Sequence, residues 1–387
     1  MTKIVDIEDI RKKREKKEIG IPIENINKKE LKRRGHEIGD ILGCDEKGEE
    51  ICVRKGKGNL YVDGNMEKEQ LFDFMRSQIY QNIQRGDSMV IVDLGSRIYK
   101  RELWIYLTIH GYRVDSYNMD CMTESDCFNC LDGLGAENEE QIVMIANDII
   151  DDQKYKFMTY PVETACKALL SAVLLASLTE MEESDRNMLE IATIFRLGVS
   201  GTMLDKILHV MFEELDETSS AKQLFAMYSE AEEGIRMEAI QKIGNALAVY
   251  EKRANGSLCD NFRTNRYDME MPVKEKSVLF IESGQLPEDK VLFSVFMERL
   301  YDSMLKKAEE RQQDVTVMLL DYPYYGGLCG LEKYMEEGPE KGICTTLYED
   351  DRKLDGSGYA PHLVELYSLC DISVCIKDTE IPLCEIE

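Results

Sequence analysis

Two hydrophobic periods divide this chain. Short continuous apolar runs, bounded by glycine or by charge, read as strands buried on both faces of a parallel sheet. They fall at Leu60-Tyr61-Val62, 87–94 (DSMVIVDL), 112–119 (YRVDSYNM), 276–283 (KSVLFIES), 314–323 (DVTVMLLDYP), 342–348 (GICTTLY) and 370–377 (CDISVCIK). Between them, three- and four-residue spacing predicts helices over 67–84, 99–111, 286–312 and 360–369. Helix alternating with apolar strand is the pattern of an α/β domain with right-handed crossovers. The middle of the chain differs. From about 140 to 255 the helical period runs unbroken, at 160–181, 184–198, 203–215 and 234–253, with no strand pattern. Ser184 is the expected cap of the second of these, with Asn187 at its third position, and the methionine and leucine stripes read as core.

The order predicts four stretches. Residues 1–40 form a charged helical arm and linker. Residues 41–150 begin the α/β domain, 151–258 are an all-helical insertion, and 259–387 complete the α/β domain. Tyr324 to Gly327 read as a loop after a strand.

Charge narrows the partners. The chain of 387 residues has 74 acidic and 48 basic side chains, a net charge of −26. Such a field disfavours broad binding to phosphate backbones, though a local basic lane stays compatible with it. The basic runs lie at 11–17 (RKKREKK) and 28–34 (KKELKRR); they read either as solvated helix faces or as an arm touching nucleic acid or anionic lipid. No stretch reaches about 18 consecutive apolar residues, and 168–178 (ALLSAVLLASL) fits a buried helix. The start is charged from Lys3 onward without a signal-peptide core, so a cytoplasmic protein is expected.

Metal chemistry finds little support. Twelve cysteines are scattered, and the nearest cluster is Cys121, Cys127 and Cys130, with one C-x-x-C. A zinc site takes about four ligands, commonly from two such knuckles. No second knuckle follows, and His36, His110, His209 and His362 stand far apart in sequence. No metal is expected.

The strand at 60–62 leads through Asp63-Gly64-Asn65 into a helix, the strand-turn-helix form of a phosphate-binding loop. Around it a family resemblance emerges. Residues 88–134 (SMVIVDLGSRIYKRELWIYLTIHGYRVDSYNMDCMTESDCFNCLDGL) resemble the segment of conjugative coupling proteins, the TraG/TraD-type ATPases of type IV secretion. There a strand ending in Asp-Pro-Lys-Gly-Glu precedes a helix, a Gly-Tyr-x-Val strand and an Asn-Pro-Leu signature. Asp93 matches the family aspartate, Gly111-Tyr112-Arg113-Val114 the second element, and Asn129-Cys130-Leu131 the third. In that alignment Cys130 takes the place of a proline. VETACKALLSAVLLASL and ESDRNMLEIATIFRL resemble the first helices of the family's all-helical domain. KSVLFIES is similar to the strand after it, VTVMLLDYPYYGGLCGLEKYM to the Walker B strand and its sequel, and CDISVCIKDTE to the closing strand. The match spans roughly 25–387 in family order. It implies a RecA-like P-loop NTPase-type sheet domain interrupted by an inserted all-helical domain.

The departures fall on the chemistry. A working loop cradles the β- and γ-phosphates with backbone amides and a lysine, and a Ser/Thr hydroxyl helps hold Mg²⁺. Laid on that loop, Gly64 keeps an early glycine, while Lys68 replaces the glycine before the lysine, Glu69 the lysine and Gln70 the hydroxyl residue. Asp321 survives in the Walker B position, but the glutamate that polarises water is Tyr322. A tyrosine of ordinary pKa, near 10, is no base for that water at neutral pH. The Asp-Pro-Lys-Gly-Glu loop reads Asp93-Leu94-Gly95-Ser96-Arg97, and the strand that usually ends in glutamine continues as TTLYEDDRKL.

The resemblance therefore implies a non-hydrolysing binding or regulatory partner in conjugative DNA transfer. No cofactor is expected, and Gly64, Lys68 and Asp321 are the remnant of a nucleotide pocket. The expected partner is a protein, an active coupling ATPase or another conjugation component, reached in the cytoplasm or at the membrane through a secretion complex. DNA contact and ring formation stay open. The family's N-terminal membrane helices are not read before residue 25. One alternative is an active ATPase that uses Lys68 and Asp321 with ATP and magnesium to move DNA; another is a shared fold in an unrelated role. Residue by residue, blander roles are also open: Asp93 and Asp321 as turn residues, Gly64 as a glycine tolerating positive φ.

Overall fold

A computed structural model describes residues 3–6, 18–20, 40–44, 50–54, 58–64, 68–93, 98–119, 125–151, 158–196, 200–254, 260–263, 266–282, 289–320, 328, 330–348, 366, 368–377 and 383–386. The chain divides into two compact units. The first comprises Met1–Asp115, Met269–Glu282 and Tyr301–Glu387; the second comprises Ser116–Asp268 and Ser283–Leu300.

The first four strands are β1 (Lys3–Asp6), β2 (Glu18–Gly20), β3 (Asp40–Cys44) and β4 (Glu50–Arg54). Two of them replace parts of the expected helical arm. Ile4 and Val5 of β1 pair in parallel with Ile51 and Cys52 of β4, and β3 completes a three-stranded sheet. Consecutive β-branched residues, Ile4 and Val5, suit a strand better than a helix. The basic runs 11–17 and 28–34 lie outside the described residues.

The main sheet begins with β5 (Leu60–Gly64), followed by helix α1 (Lys68–Arg85), β6 (Ser88–Asp93), α2 (Ile98–Ile109) and β7 (Arg113–Asn118). In the second unit come α3 (Glu139–Asp151), α4 (Tyr160–Glu180), α5 (Met188–Phe195), α6 (Gly201–Glu213), α7 (Ser220–Ser229) and α8 (Glu233–Arg253). The chain continues with β8 (Ser277–Glu282), α9 (Asp289–Lys307), β9 (Val315–Leu319), α10 (Leu331–Glu337), β10 (Ile343–Tyr348), β11 (Ile372–Lys377) and β12 (Leu383–Ile386).

Six strands run parallel in the order β11-β5-β10-β9-β6-β8. Antiparallel β12 and then β2 extend one edge, and β7 follows β8 at the other. β6, β8 and β10 are buried at every position, which is why their sequences are apolar without alternation. One face is covered by α1 and α2. Phe74, Met75, Ile79 and Ile83 of α1 and Leu103 and Leu107 of α2 share a core with Leu60, Val62, Met89, Ile91, Val278, Phe280 and Met318. On the other face Tyr301 stacks on Tyr334 of α10 at 4.8 Å, and its hydroxyl bonds Thr345 Oγ1 at 2.9 Å.

The second unit has no strand of its own among the described residues apart from the end of β7. Its central helix α4 buries Val162, Ala165, Cys166, Ala168 through Leu175, Ser177 and Leu178, nearly all the way round. Among the described residues α4 is the one helix long and apolar enough to cross a membrane by length and composition, and 72% of its most apolar window is buried inside the protein. Asn187, not Ser184, caps α5: its Oδ1 accepts from the amides of Leu189 and Glu190, each at 3.1 Å. Ser184 sits in the preceding one-turn helix, too early to reach those amides. Helix α7 stands where no helix was read; Ser219 caps it through the Lys222 amide at 3.1 Å.

A buried hub ties three helices of this unit together. Asp205 of α6 accepts from Tyr228 Oη of α7 at 2.7 Å and from Arg236 of α8, Nε at 3.2 Å and Nη2 at 3.1 Å. Burial pushes the Asp205 carboxyl up, but hydrogen bonds from Arg236 and Tyr228 and the Arg236 charge outweigh it and hold it below the usual carboxylate range. At the start of α9 the buried Asp289 carboxylate accepts from Arg253 Nη2 at 2.5 Å.

Candidate functional site

In an open parallel sheet a ligand binds beyond the carboxyl ends of the strands, where neighbouring strands send their connections to opposite faces. That reversal occurs here between β6, which leads into α2 on one face, and β9, which leads to α10 on the other. β5 and β10 lie beside them. The registers bring the four ends nearly level: Leu319 stands opposite Val92 on one side and Leu347 on the other, and Tyr348 stands opposite Val62. The edge is thus formed by Gly64, Asp93, Leu319 and Tyr348.

Gly64 lies on this edge, but as strand. Asp63 and Gly64, expected in a tight turn, are the last residues of β5 and pair with Cys375 and Ile376 of β11. The ladder continues because β11 flanks β5 to that level. Lys68 opens α1, and Glu69 and Gln70 follow in the same first turn. A helix N-terminus is a place of positive potential that favours anions. Asp321 lies outside the described residues, as do Glu349 to Asp351, which follow β10. The last described residue before Asp321 is Leu320, whose amide donates to Val92 O at 3.3 Å.

Asp93 is not an exposed turn residue. It ends β6, is 3% exposed, and stands opposite Glu282 of β8, which is equally buried. Both fall in step with Met89, Ile91, Val278 and Phe280, hence on the α1/α2 face. Lys100 from the first turn of α2 reaches Glu282 Oε2 at 2.9 Å. This end of the sheet therefore carries two neighbouring buried carboxylates and a lysine that bonds Glu282. Glu282 and Lys100 escaped the sequence reading, although a glutamate closing an apolar strand was a usable signal.

Asn59 was missed as well. Buried immediately before β5, it donates from Nδ2 to Met335 O of α10 at 2.6 Å and to Leu369 O at 3.1 Å. Its Oδ1 accepts from the Thr345 amide of β10 at 2.9 Å, and its carbonyl from the Asp371 amide at 3.0 Å. One side chain thereby locks β5 to both neighbours and sets the height at which Gly64 emerges. Beside it a Cβ on Gly58 would run into the Asp371 carboxylate.

The opposite end is anchored by polar groups around the last turn of α1. Asn82 Oδ1 accepts from Arg85 Nη2 at 2.7 Å and Thr316 Oγ1 at 2.9 Å, and Arg85 Nε reaches Asp87 at 2.6 Å. Tyr112 Oη donates to Asp87 O at 2.9 Å; burial and then the Asp87 charge push its pKa far up, leaving a neutral donor. Ser88 bridges β6 and β8, donating to Glu275 O at 2.8 Å and accepting from the Ser277 amide at 3.1 Å.

The C-x-x-C segment belongs to the second unit. Cys127 and Cys130 are buried free thiols, and burial above all pushes Cys130 up to about 12. Asn129 between them shapes the turn: Oδ1 accepts from the Leu131 amide at 3.1 Å and Nδ2 donates to Arg186 O at 2.8 Å. Phe128 and Tyr117 pack on Phe296, the latter stacked at 4.0 Å.

A parallel sheet with β10 interposed between β5 and β9, helices on both faces, and a helical unit inserted between β7 and β8 is a RecA-like, P-loop NTPase-type fold. Solved structures of a bacterial conjugative coupling protein, TrwB, share it. An unbound form of TrwB lacking its first 70 residues aligns with a TM-score of 0.59 at 15% identity, over 92% of this chain and 76% of that one. TrwB bound to a non-hydrolysable ATP analogue gives 0.57 at 15% identity, over 92% and 78%. TrwB with ADP and Mg²⁺ gives 0.56 at 15% identity, over 93% and 80%. At this identity the likeness is one of fold. No protein-family model matches the chain, and no curated protein matches it.

Proposed function

We propose that this chain is a degenerate homologue of the conjugative coupling proteins that acts as a binding or regulatory partner in DNA transfer and does not hydrolyse nucleotide. The fold supports the coupling-protein part, and the charge at the start of α1 carries the rest. In the resemblance, Glu69 takes the place of the lysine that grips phosphate. It lies in the first turn of the helix that follows β5, where it complements the helix dipole itself. A carboxylate there opposes a triphosphate by an energy on the order of several kcal/mol in a dry pocket. Lys100, near the ends of β6 and β8, bonds Glu282 at 2.9 Å. Gly64, Lys68 and Asp321 are then what remains of a nucleotide pocket, and neither ATP nor magnesium is part of the resting protein.

The test is calorimetry of the purified chain with ATP and Mg²⁺. Absence of binding heat is expected; micromolar binding abolished by Lys68→Ala, together with DNA-stimulated release of phosphate, would establish instead an active ATPase with an atypical loop. A cation in the first turn of α1, one place before Glu69, favours that second reading. The partner in the first is an active coupling ATPase, beside which this subunit would occupy one position of a mixed ring. Native mass measurement after co-expression of the two tests it, with mixed oligomers expected and separate species counting against it.

A further inference from the structure

The methionine and leucine stripes of the second unit are not all core. Met203, Val210 and Met211 on α6 are 53%, 59% and 53% exposed, and Met227 on α7 is 55% exposed. With Ile207 the three on α6 recur at i, i+4, i+7 and i+8, one face of a helix whose opposite face buries Leu204, Leu208 and Phe212. An amphipathic surface helix needs one apolar face; α6 has two. At the boundary of the two faces Met211 also walls an apolar cavity of about 80 Å³, with Val173, Met181, Ile194, Leu208 and Leu215.

Glu180 lines this cavity, and exposed acidic residues crowd the carboxyl ends of the two helices beside it: Glu180, Glu182, Glu183 and Asp185 end and follow α4, and Glu213, Glu214, Asp216 and Glu217 end and follow α6. Of the cations there, Arg186 is turned onto Met181 O at 3.0 Å, and Lys222 onto the carbonyls of Glu213 and Leu215 and onto Glu217. We infer that this groove docks an amphipathic helix with basic flanks from another protein. Flexible thioether side chains adapt to the apolar face of such a helix, and these carboxylates meet its lysines and arginines. The same charge argues against other occupants. A second copy of a chain with net charge −26 meets repulsion, as do nucleic acid and anionic lipid. The inference does not depend on whether the sheet edge binds nucleotide, so either can fail alone.

The test uses full-length protein carrying ¹³C-methyl methionine and a synthetic peptide of roughly 18 residues, leucine at helical spacing and lysine elsewhere. Methyl signals of Met181, Met203 and Met211 shift as the peptide is added, while those of Met89 and Met318 in the sheet stay put. The shifts weaken with salt, and a counterpart with every lysine replaced by glutamate leaves them unmoved. Met211→Asp weakens binding roughly tenfold, with the circular dichroism and melting temperature unchanged because the side chain is half exposed. Equal shifts from the acidic peptide, silence at Met211, or undiminished binding by M211D would overturn the assignment.

Discussion

Asn59→Ala should loosen the edge on which Gly64 sits while leaving the helical unit intact. The side chain is 1% exposed and makes three hydrogen bonds, two to carbonyls and one from an amide. Truncation leaves Met335 O, Leu369 O and the Thr345 amide without that partner in a region closed to water. At about 1 kcal/mol for each group the loss is about 3 kcal/mol. For a unit of this size that lowers the melting temperature by about 6–12 °C. Asn59→Asp should fare no better: it keeps an acceptor for Thr345 but presents oxygen to the two carbonyls. Denaturant unfolding gives the magnitude, and amide hydrogen exchange gives the location, with protection lost first in β10 and β11. A variant that melts within about 1 °C of the parent, or that loses protection in α4 to α8 instead, would refute the reasoning.

Other consequences can be checked alongside. Lys100→Met removes the ammonium bonded to Glu282 beside Asp93 and should cost about 2 kcal/mol, part of it regained in the double variant with Glu282→Gln; a thermodynamic cycle measures the coupling. Because Asp205 is held below its unfolded pKa near 3.9, its contribution is complete above that value and is lost as pH falls through the lower folded one. Asp205→Asn should therefore reduce stability at neutral pH by about 3 kcal/mol and flatten the acid limb of the stability profile. A Cβ at Gly338 would meet the carbonyls of Tyr334 and Ile343, so Gly338→Ala should cost about 2–3 kcal/mol and expose β10 amides to exchange. The pair Glu69→Lys and Gln70→Thr should confer measurable binding of ATP with Mg²⁺, read by calorimetry, if the first turn of α1 is what repels the triphosphate.

The parallel strands were legible because burial on both faces demands unbroken apolar runs, and DSMVIVDL and KSVLFIES could be little else. Their order was not: nothing local in β5 says that β10 and β11, encoded far downstream, become its neighbours. The start of the chain was misread because charge around Ile4 and Val5 masked short edge strands. Lys68 was placed on the right helix from spacing, whereas Gly64, read as part of a turn, ends β5 because β11 continues the ladder to that level. Asn59 was invisible for a different reason. Its role comes from three backbone groups that only the folded sheet collects around it. Lys100 and Glu282 are likewise 182 positions apart, and no period of either element marks them as a pair. For α6, helical spacing was read as core, since a second apolar face has the same period as the first.

The position of β5 also bears on how the chain is made. Its two flanking strands emerge long after it, as the 310-residue separation of Asn59 from Leu369 records. At synthesis rates of about 5–20 residues per second that interval is roughly 15–60 s, during which an apolar segment leaves the ribosome with both hydrogen-bonding edges open. The inserted helices, built mainly from nearby contacts, can mature meanwhile. Nascent chains stalled before residue 343 should accordingly recruit holdase chaperones at β5, and chains extended past β11 should release them.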